Sequence, residues 1–393
     1  MKLFSSNKHL IYRIIALLVI PSMLLAACDS GPQAPAATPN FTGSIRIGVA
    51  APYTGDTADG GIQIMQGAQL AADETNAQGG VDGKKIEIVA ADDQAASAKA
   101  QDVAKKLVDA GVVAVVGHKD SGVSIPASAI YHAAGIVQIT PTSSNPALTT
   151  QGFDTVFRVC PNDGIQGPFL AEFLIQKLGK KKIAVIHANT AYGQGLDLAF
   201  ETRAKELGVT PLTVQEIKRG DKDFTDALQA IQPLAPEAIF YAGSLPEGII
   251  VASQMKELGI TATFLGGDTL FQADFPRQVG SASEGAYVSS FFPDVAKSQA
   301  KEDTTWVAAY RDEFKRNPGG NSSGGYVAAQ ALIRAIKDAN STDPLKIKDA
   351  LKKLDMQSLI GHITFDQKGD LQDQSSHLHI FQVKDGEFIP VQP

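Results

Sequence analysis

The chain has 393 residues, with 35 lysines and arginines against 42 aspartates and glutamates, and a net charge of −7 at pH 7. Its first 27 residues carry three basic and no acidic side chains, so residues 28–393 have a net charge of −10. This acidic balance argues against binding to nucleic acid and against electrostatic attachment to anionic lipids. A chain of this length is long enough for two domains of ordinary size.

The N-terminal segment has the pattern of an export signal. Basic residues precede an uncharged apolar stretch over residues 14–27, which is too short for a comfortable membrane span. The stretch ends in Leu25-Ala26-Ala27-Cys28, which resembles the lipobox of bacterial lipoproteins, where the cysteine is acylated and becomes the first residue. An ordinary signal followed by a chance cysteine is the alternative, and it is disfavoured because the chain has only two cysteines. We predict a signal peptide over residues 1–27, lipidation at Cys28, and a location on the outer face of the cell membrane.

Residues 28–42 are predicted to be a flexible tether. Pro32, Pro35 and Pro39 lie among glycine, alanine, serine and threonine without apolar periodicity, a composition that favours extended conformations. No run of eighteen or more apolar residues follows in the sequence. We therefore expect the membrane to be contacted through the lipid anchor alone.

From Ser44 onward, the apolar pattern alternates between the periods of strands and helices. The predicted strands cover residues 45–49, 86–90, 112–116, 136–140, 183–187, 213–217, 238–242 and 263–266. The helices predicted between them cover residues 62–77, 100–108, 169–178, 195–207, 224–231 and 246–258, with a further short helix before residue 136. Such alternation predicts right-handed βαβ crossovers and an α/β fold with two open layers.

The C-terminal part has a different pattern. Helices are predicted over residues 307–316, 326–339 and 345–354. Two hairpin-like segments follow, with turns at Lys368-Gly369-Asp370 and at Asp385-Gly386.

The loops that follow the predicted strands are the expected ligand-binding segments. Ligands of open α/β sheets bind beyond the carboxyl ends of the strands, where helix N-termini offer free N–H groups. These loops are rich in hydroxyls and glycines, with one aromatic side chain and a few carboxylates; they cover residues 117–122, 140–146, 188–193, 242–247 and 266–268. This composition favours a small zwitterionic ligand.

At these loops the chain resembles the substrate-binding proteins of branched-chain-amino-acid-type ABC transporters, related to the leucine/isoleucine/valine-binding protein. The resemblance covers residues 44–388 and is carried by several short motifs in the right order, among them Asp73-Glu74-Thr75-Asn76, Gly117-His118, Ile139-Thr140-Pro141, Gln166-Gly167-Pro168, Tyr192-Gly193 and Lys222-Asp223-Phe224. It implies the periplasmic binding protein type I fold, in which two Rossmann-like lobes with parallel-type sheets are joined by a three-crossing hinge. The implied lobes are residues 43–162 plus 292–371 and residues 163–291 plus 372–393.

The resemblance also implies a ligand site. In the first lobe, Ser121 would meet the α-carboxylate of an amino acid, the backbone carbonyl of Thr142 would receive the α-ammonium, and Ser144 would help to hold both groups. In the second lobe, Asp268 would pair with the ammonium. The full implied set is Ser121, Thr142, Ser143, Ser144, Tyr192, Ser244 and Asp268, with no metal ion, no cofactor and no catalytic residue.

Three positions depart from the family pattern. Gly60 and Ser244 stand where the leucine-type proteins have aromatic side chains, and Asp120 places a carboxylate beside Ser121. The site for the amino-acid backbone is therefore expected to be retained, with a larger and more polar side-chain pocket. Strict leucine specificity is not expected.

Simpler roles compete for the same residues. Asp268 follows two glycines and could be an ordinary turn residue. Ser121 and Ser144 could be helix N-caps, although capping and ligand contact are compatible because both use the same N–H groups. Tyr192 could be a surface aromatic, and only the resemblance favours a binding role.

Other chemistry is weakly indicated. Gly193-Gln194-Gly195 with Glu216 resembles a dinucleotide fingerprint, but Leu198 occupies the position of its last small residue. His377 and His379 alternate on a predicted strand without a third metal ligand, so they are expected to be exposed. Cys160 lies in the strand-like segment 156–161 and is expected to be buried.

Three functions are compared. The favoured one is a monomeric transport receptor that captures an amino acid, closes its lobes and docks on the permease subunits of an ABC transporter. The alternative is a sensing module for amino acids, amides or small carboxylates that acts with a separate signalling partner. An enzyme is disfavoured, because no nucleophile elbow, phosphate-binding loop or zinc-ligand cluster occurs in the sequence.

Overall fold

The computed structural model describes residues 41–391. The predicted signal peptide, Cys28 and most of the predicted tether lie outside the described residues. Within the described range, no helix combines the length and the apolar content needed to cross a membrane.

The N-terminal part of this range forms a parallel five-stranded sheet with order β2-β1-β3-β4-β5. Its short central strands β3 and β4 are buried along their whole length, as is typical of a parallel sheet covered on both faces. The elements alternate as the sequence pattern predicts. They are β1 (Gly43–Ala51), α1 (Ala58–Ala77), β2 (Lys84–Asp92), α2 (Ala100–Asp109), β3 (Ala114–Gly117), α3 (Ser121–Ala133), β4 (Val137–Thr140) and β5 (Val156–Arg158).

A second round of alternation builds the second sheet. It contains α4 (Asp163–Glu172), β6 (Ile183–Ala188), α5 (Ala191–Glu206), β7 (Thr213–Ile217), α6 (Thr225–Ile231), β8 (Ala238–Ala242), α7 (Leu245–Glu257), β9 (Thr263–Gly266), α8 (Asp274–Val279) and β10 (Tyr287–Ser290). Strands β6 to β10 pair in parallel with one another.

The C-terminal part serves both sheets. Its elements are α9 (Lys301–Phe314), α10 (Gly320–Ala339), α11 (Pro344–Leu351), β11 (Met356–Ser358), β12 (Gly361–Ile363), β13 (His379–Lys384) and β14 (Glu387–Val391). The predicted turn at residues 385–386 joins β13 and β14, which pair antiparallel with each other, and β13 also pairs antiparallel with β10. The second sheet therefore has seven strands, in the order β14-β13-β10-β9-β8-β6-β7.

The chain passes between the two sheets three times. Helices α9 to α11 return to the first sheet, where Val327, Leu332 and Ile336 of α10 share an apolar core with Ile47 and Ile139. We call the first sheet with α1–α3 and α9–α11 lobe 1, and the second sheet with α4–α8 lobe 2. The crossings follow β5 and β10 and precede β13. Two Rossmann-like lobes with a three-crossing hinge, the predicted α/β architecture, are confirmed.

Some elements were not predicted, for local reasons. Strand β10 contains Ser289 and Ser290, which are buried, so its sequence lacks the apolar pattern of an interior strand. Helix α8 has only six residues and contains Pro276, which a periodicity criterion rejects. The hairpin of β11 and β12 consists of strands of three residues each, below the length at which alternation is visible.

Candidate functional site

A cavity of about 480 Å³ lies between the lobes, at the carboxyl ends of their parallel strands. Loops after β2, β3 and β4 form one wall, and loops after β6, β7, β8 and β9 form the other. Of the predicted site residues, those that line this cavity are Ser121, Thr142, Tyr192, Ser244 and Asp268. Five side chains from separate strand ends therefore meet at one place, as the rule for open α/β sheets predicts.

The lobe 1 wall contains a helix N-terminus. Helix α3 begins at Ser121, four residues after β3 ends. The N–H groups of Val123 and Ser124 donate to the carbonyl of Asp120 at 2.9 Å. Those of Ser121 and Gly122 precede the first hydrogen bond of the helix, where the helix dipole adds partial positive charge. The Ser121 hydroxyl accepts a hydrogen bond from the Asn145 N–H at 3.2 Å, which fixes it next to the loop after β4. This wall therefore offers hydrogen-bond donors to a carboxylate.

The loop after β4 holds the three other predicted residues of lobe 1 in different positions. The Thr142 hydroxyl donates to the carbonyl of Lys119 at 2.9 Å, and Thr142 lines the cavity. Ser143 and Ser144 are fully buried and lie outside the cavity lining. The Ser143 hydroxyl donates to the carbonyl of His118 at 3.0 Å, so it ties the loop to the segment that follows β3.

The lobe 2 wall presents a carboxylate held by two donors. One oxygen of Asp268, Oδ1, accepts hydrogen bonds from the Tyr192 hydroxyl at 2.7 Å and from Gln166 Nε2 at 3.0 Å. Burial raises the pKa of Asp268, while the bonds from Tyr192 and Gln166 favour the ionised form. A cationic group inside the cavity would therefore stabilise the ionised form of Asp268 further.

Gln166 was not predicted as a site residue. It lies on α4, just after the first crossing, is fully buried, and also donates from Nε2 to the Ser289 hydroxyl of β10 at 2.9 Å. Sequence motifs place it in the family pattern, but its contact with Asp268 spans 102 positions of the chain. Only the folded arrangement brings the two side chains together.

A charged group of three side chains also borders the cavity. Lys119 Nζ lies 3.6 Å from Asp120 Oδ1, and Arg219 of lobe 2 reaches within 3.8 Å of Asp120 Oδ2. A Cβ added to Gly60 would lie 2.7 Å from Lys119 Cε and 2.9 Å from the Asn321 amide nitrogen. The space that an aromatic side chain would take at position 60 is therefore occupied by the stem of Lys119.

The lobes touch each other around the cavity. Lys222 of lobe 2 lies 2.8 Å from Asp56 of lobe 1. The Asn145 amide of lobe 1 also donates to the carbonyl of Ala191 of lobe 2 at 2.5 Å. An ion pair and a hydrogen bond therefore connect the two lobes next to the cavity.

The chain matches the periplasmic binding protein family over residues 44–387. It belongs to this family. The match has nearly the bounds that the sequence resemblance gives, 44–388.

Relatives and solved structures agree with this family. The amino acid binding protein of Pseudomonas aeruginosa is 36% identical over 327 residues, which is 83% of this chain and 87% of that protein. Leu/Ile/Val-binding protein homolog 1 of Brucella abortus is 34% identical over 327 residues, which is again 83% of this chain and 87% of that protein. The branched-chain amino acid transporter substrate binding protein LivJ of Streptococcus pneumoniae, in complex with isoleucine, is similar in structure with a TM-score of 0.80, at 28% identity over 89% of this chain and all of that one. The leucine binding protein LivK of Thermotoga maritima has the same TM-score and identity over 88% and 98% of the two chains. These are binding proteins and not enzymes, as predicted.

The weaker sequence signals have structural explanations. Gly193 lies in the first turn of α5, where a Cβ would approach the carbonyl oxygen of Ala188 to 2.3 Å, so close packing requires this glycine. Cys160 is a buried free cysteine, as expected, and burial raises the pKa of its thiol. The expectation for His377 was wrong: it lies in a short helical turn before β13, is 2% exposed, and packs with Nε2 3.3 Å from the carbonyl of His362. Within residues 41–391, no group of three or more metal-ligating side chains occurs.

Arg158, at the end of β5, anchors the loop that bears Thr142. Its Nε lies 2.5 Å from Asp370 Oδ1, and its NH1 donates to the carbonyls of Ser143 at 2.9 Å and Asn145 at 3.2 Å. The Arg158 side chain is completely buried. It therefore joins the binding loop to the segment that precedes the third crossing.

Asp163 is the second buried acid near the site. It begins α4 immediately after the first crossing, and in the described part of the chain neither of its carboxylate oxygens has a partner with hydrogen-bond geometry. Burial raises its pKa to about 8; the nearby Ser144 hydroxyl opposes this effect only in part, and the charge of Asp268 adds to it. Asp163 is therefore protonated in the folded protein at neutral pH, whereas it is ionised in the unfolded chain.

This difference predicts a pH-dependent stability that Asp163→Asn removes. Between the usual pKa of 3.8 and the folded pKa of about 8, the folded state keeps a proton that the unfolded state releases. The contribution of this proton to the free energy of unfolding is fully present below pH 4. It is lost as the pH rises towards 8, by up to about 1.4 kcal/mol per pH unit. We expect unfolding free energies at pH 5 and 8 to show a smaller pH decrease in Asp163→Asn than in the wild type. Asp312→Asn, at a residue with a 91% exposed side chain, is the control; identical pH slopes in all three proteins would contradict the assignment.

Proposed function

We propose that the protein is an extracytoplasmic, lipid-anchored binding protein that captures an amino acid between its lobes and delivers it to an ABC transporter permease. The observation that carries the proposal is the pairing of opposite chemistries across the cavity, with the N-terminus of α3 on one wall and Asp268 on the other. The names of the relatives support it, since they include an amino acid binding protein and a transporter component in complex with isoleucine.

In this proposal the two ends of the zwitterion bind to different lobes. The α-carboxylate accepts hydrogen bonds from the Ser121 hydroxyl and the first N–H groups of α3. The α-ammonium pairs with Asp268, which Tyr192 and Gln166 hold in place, and with the backbone carbonyl of Thr142. A ligand that bridges both walls stabilises the closed arrangement over an open one, so binding free energy drives lobe closure.

Closure of this kind needs a hinge between the lobes. We place the lobes at residues 43–162 plus 292–371 and at residues 163–291 plus 372–393, with the three connecting segments at the boundaries. A monomer is sufficient for this mechanism, because both walls come from one chain. The closed form would present a ligand-dependent surface to the permease.

A panel of amino acids, amides and small carboxylates tests the ligand class. A ligand present at about 100 times its Kd should stabilise the folded protein by about 2.7 kcal/mol, which a thermal-shift measurement detects. We expect stabilisation by at least one free α-amino acid and none by the corresponding amine or carboxylic acid that lacks the second group. Stabilisation by carboxylates or amides alone would overturn the amino-acid assignment.

Cys28→Ser tests the lipid anchor. The change removes the thiol that the lipobox-like Leu25-Ala26-Ala27-Cys28 ending would present for acylation. We expect cells that express the variant to accumulate an uncleaved or soluble protein, with no incorporation of a labelled fatty acid. Cys160→Ser is the matched control, because Cys160 is buried in the folded lobe. Equal label on Cys28→Ser and wild type would rule out the lipoprotein assignment.

A further inference from the structure

We propose that the ligand is an amino acid with an acidic side chain, whose second carboxylate binds to Lys119 and Arg219. The inference rests on the proposed amino-acid function and specifies the substrate class of the same cavity.

The first argument is the pairing of the charged side chains in the cavity. The charged side chains that line it are Lys119, Asp120, Arg219 and Asp268. The ligand ammonium compensates Asp268, and the α-carboxylate uses neutral donors at the N-terminus of α3. Two cations then share the single carboxylate of Asp120, at 3.6 Å and 3.8 Å, both longer than a direct charged hydrogen bond. The four charges of the lining sum to zero, so what the two cations lack is a close partner and not a balancing charge. A carboxylate on the ligand side chain would offer both of them direct charged hydrogen bonds.

The second argument is the degree of burial. The side chains of Lys119 and Arg219 are only 11% and 26% exposed, so closure over a ligand would remove most of their remaining water. A charge that loses water without a partner is strongly disfavoured. Glu247 is 3% exposed and accepts the N–H of Gly220 at 2.9 Å. Among residues 41–391, Glu247 forms no ion pair with Arg219, whose ion pair is with Asp120. A ligand carboxylate would give Lys119 and Arg219 the direct contact that Asp120 does not provide.

The third argument is the position of Lys119 relative to the amino-acid backbone. A further cavity of about 230 Å³ is lined by Gly60 and shares Lys119, Ser244, Thr269 and Gln272 with the first. This is the region where aromatic walls are missing, and it adjoins the place proposed for the zwitterion. The side chain of a bound amino acid would enter it and meet Lys119, which a Cβ at position 60 would displace.

A cationic side chain fits this region less well. The acids that line the second cavity already have partners: Asp56 pairs with Lys222 at 2.8 Å, Asp59 with Arg316 at 2.7 Å and Asp274 with Arg277 at 2.6 Å. A branched aliphatic side chain would leave Lys119 and Arg219 with only their long contacts to Asp120 in a closed cleft. The arrangement of charges thus favours an acidic ligand over both alternatives.

Glutamate and glutamine provide the test, because they differ in the charge of one side-chain group at nearly equal size. We expect calorimetry on the purified protein to show an acidic amino acid bound about tenfold or more tightly than its amide. In Lys119→Met, which keeps an unbranched stem, this preference should fall to about threefold or less, and Lys119→Arg should retain most of it. Lys315→Met is the control, because Lys315 lies on the surface after α9 with a 76% exposed side chain.

The outcomes separate the two levels of the proposal. If leucine or glutamine binds more tightly than glutamate and aspartate, the acidic class is wrong while the amino-acid function stands. If no amino acid binds, the proposed function itself fails. An unchanged acid preference in Lys119→Met, in protein whose melting temperature shows that it is folded, would overturn the assignment of Lys119.

Discussion

Asp268→Asn is expected to weaken binding of the native amino acid by roughly thirtyfold or more, or about 2 kcal/mol. The carboxylate of Asp268 is held by Tyr192 and Gln166 and faces a cavity that a ligand would fill. An ammonium group that enters this site loses water and needs an anionic partner, and an asparagine oxygen does not supply the charge.

The structure also explains why the empty protein should tolerate this change. Burial raises the pKa of Asp268, so the ionised carboxylate is disfavoured by its surroundings when no cation is present. Asparagine keeps a carbonyl oxygen that can accept the hydrogen bonds from Tyr192 and Gln166. The thermal stability of the ligand-free variant should therefore change little, while its affinity falls.

Calorimetric titration of the variants with the best ligand of the panel measures the effect. Ser121→Ala should weaken binding less, because the backbone N–H groups of α3 still hold the α-carboxylate. Asp197→Asn is the control: Asp197 is another buried acid of lobe 2, 3.8 Å from His187 and outside the cavity lining. If Asp268→Asn binds as well as the wild type, the ligand has no ammonium group at that wall, and a carboxylate or amide substrate replaces the amino acid.

Sequence patterns predicted those features that depend on local chain properties. The alternation of strands and helices from Ser44 to Gly266 follows from apolar periodicity, and the elements occur in that order along the chain. The rule that ligands bind at strand ends was enough to select loops whose residues line the cavity, such as Ser121 and Asp268. The resemblance to a family supplied the three-crossing hinge, which no local pattern contains.

The features that sequence patterns did not predict depend on contacts between distant segments. Gln166 reaches Asp268 across the first crossing, and Arg219 reaches Asp120 across the cavity. Gly60 indicated a missing aromatic wall, but only the folded arrangement shows that Lys119 occupies the space. Ser144 belongs to the predicted set, yet it lies buried beside Asp163, because the loop after β4 folds back on the start of α4.

Arg158→Met should destabilise the folded protein by about 3–5 kcal/mol. Arg158 is completely buried and donates to Asp370, to the carbonyls of Ser143 and Asn145, and to the Thr149 hydroxyl at 2.6 Å. Methionine fills part of the space but leaves the Asp370 carboxylate, whose side chain is only 8% exposed, without its cation. Removing one partner of a buried ion pair is more costly than the net contribution of the pair, because the remaining charge is stranded.

Urea unfolding of matched variants distinguishes this stranded charge from a general packing defect. Arg203→Met removes an arginine whose two ion pairs lie on the surface, with Glu172 and Glu206, and it should cost less than about 1 kcal/mol. The double variant Arg158→Met, Asp370→Asn should be more stable than Arg158→Met alone, because its buried carboxylate is neutralised. A loss in Arg158→Met no greater than that in Arg203→Met, or a double variant less stable than the single one, would show that the Arg158–Asp370 pair does not anchor the binding loop. We expect Arg158→Met to be the least stable of these variants, because it alone leaves a buried carboxylate without its cation.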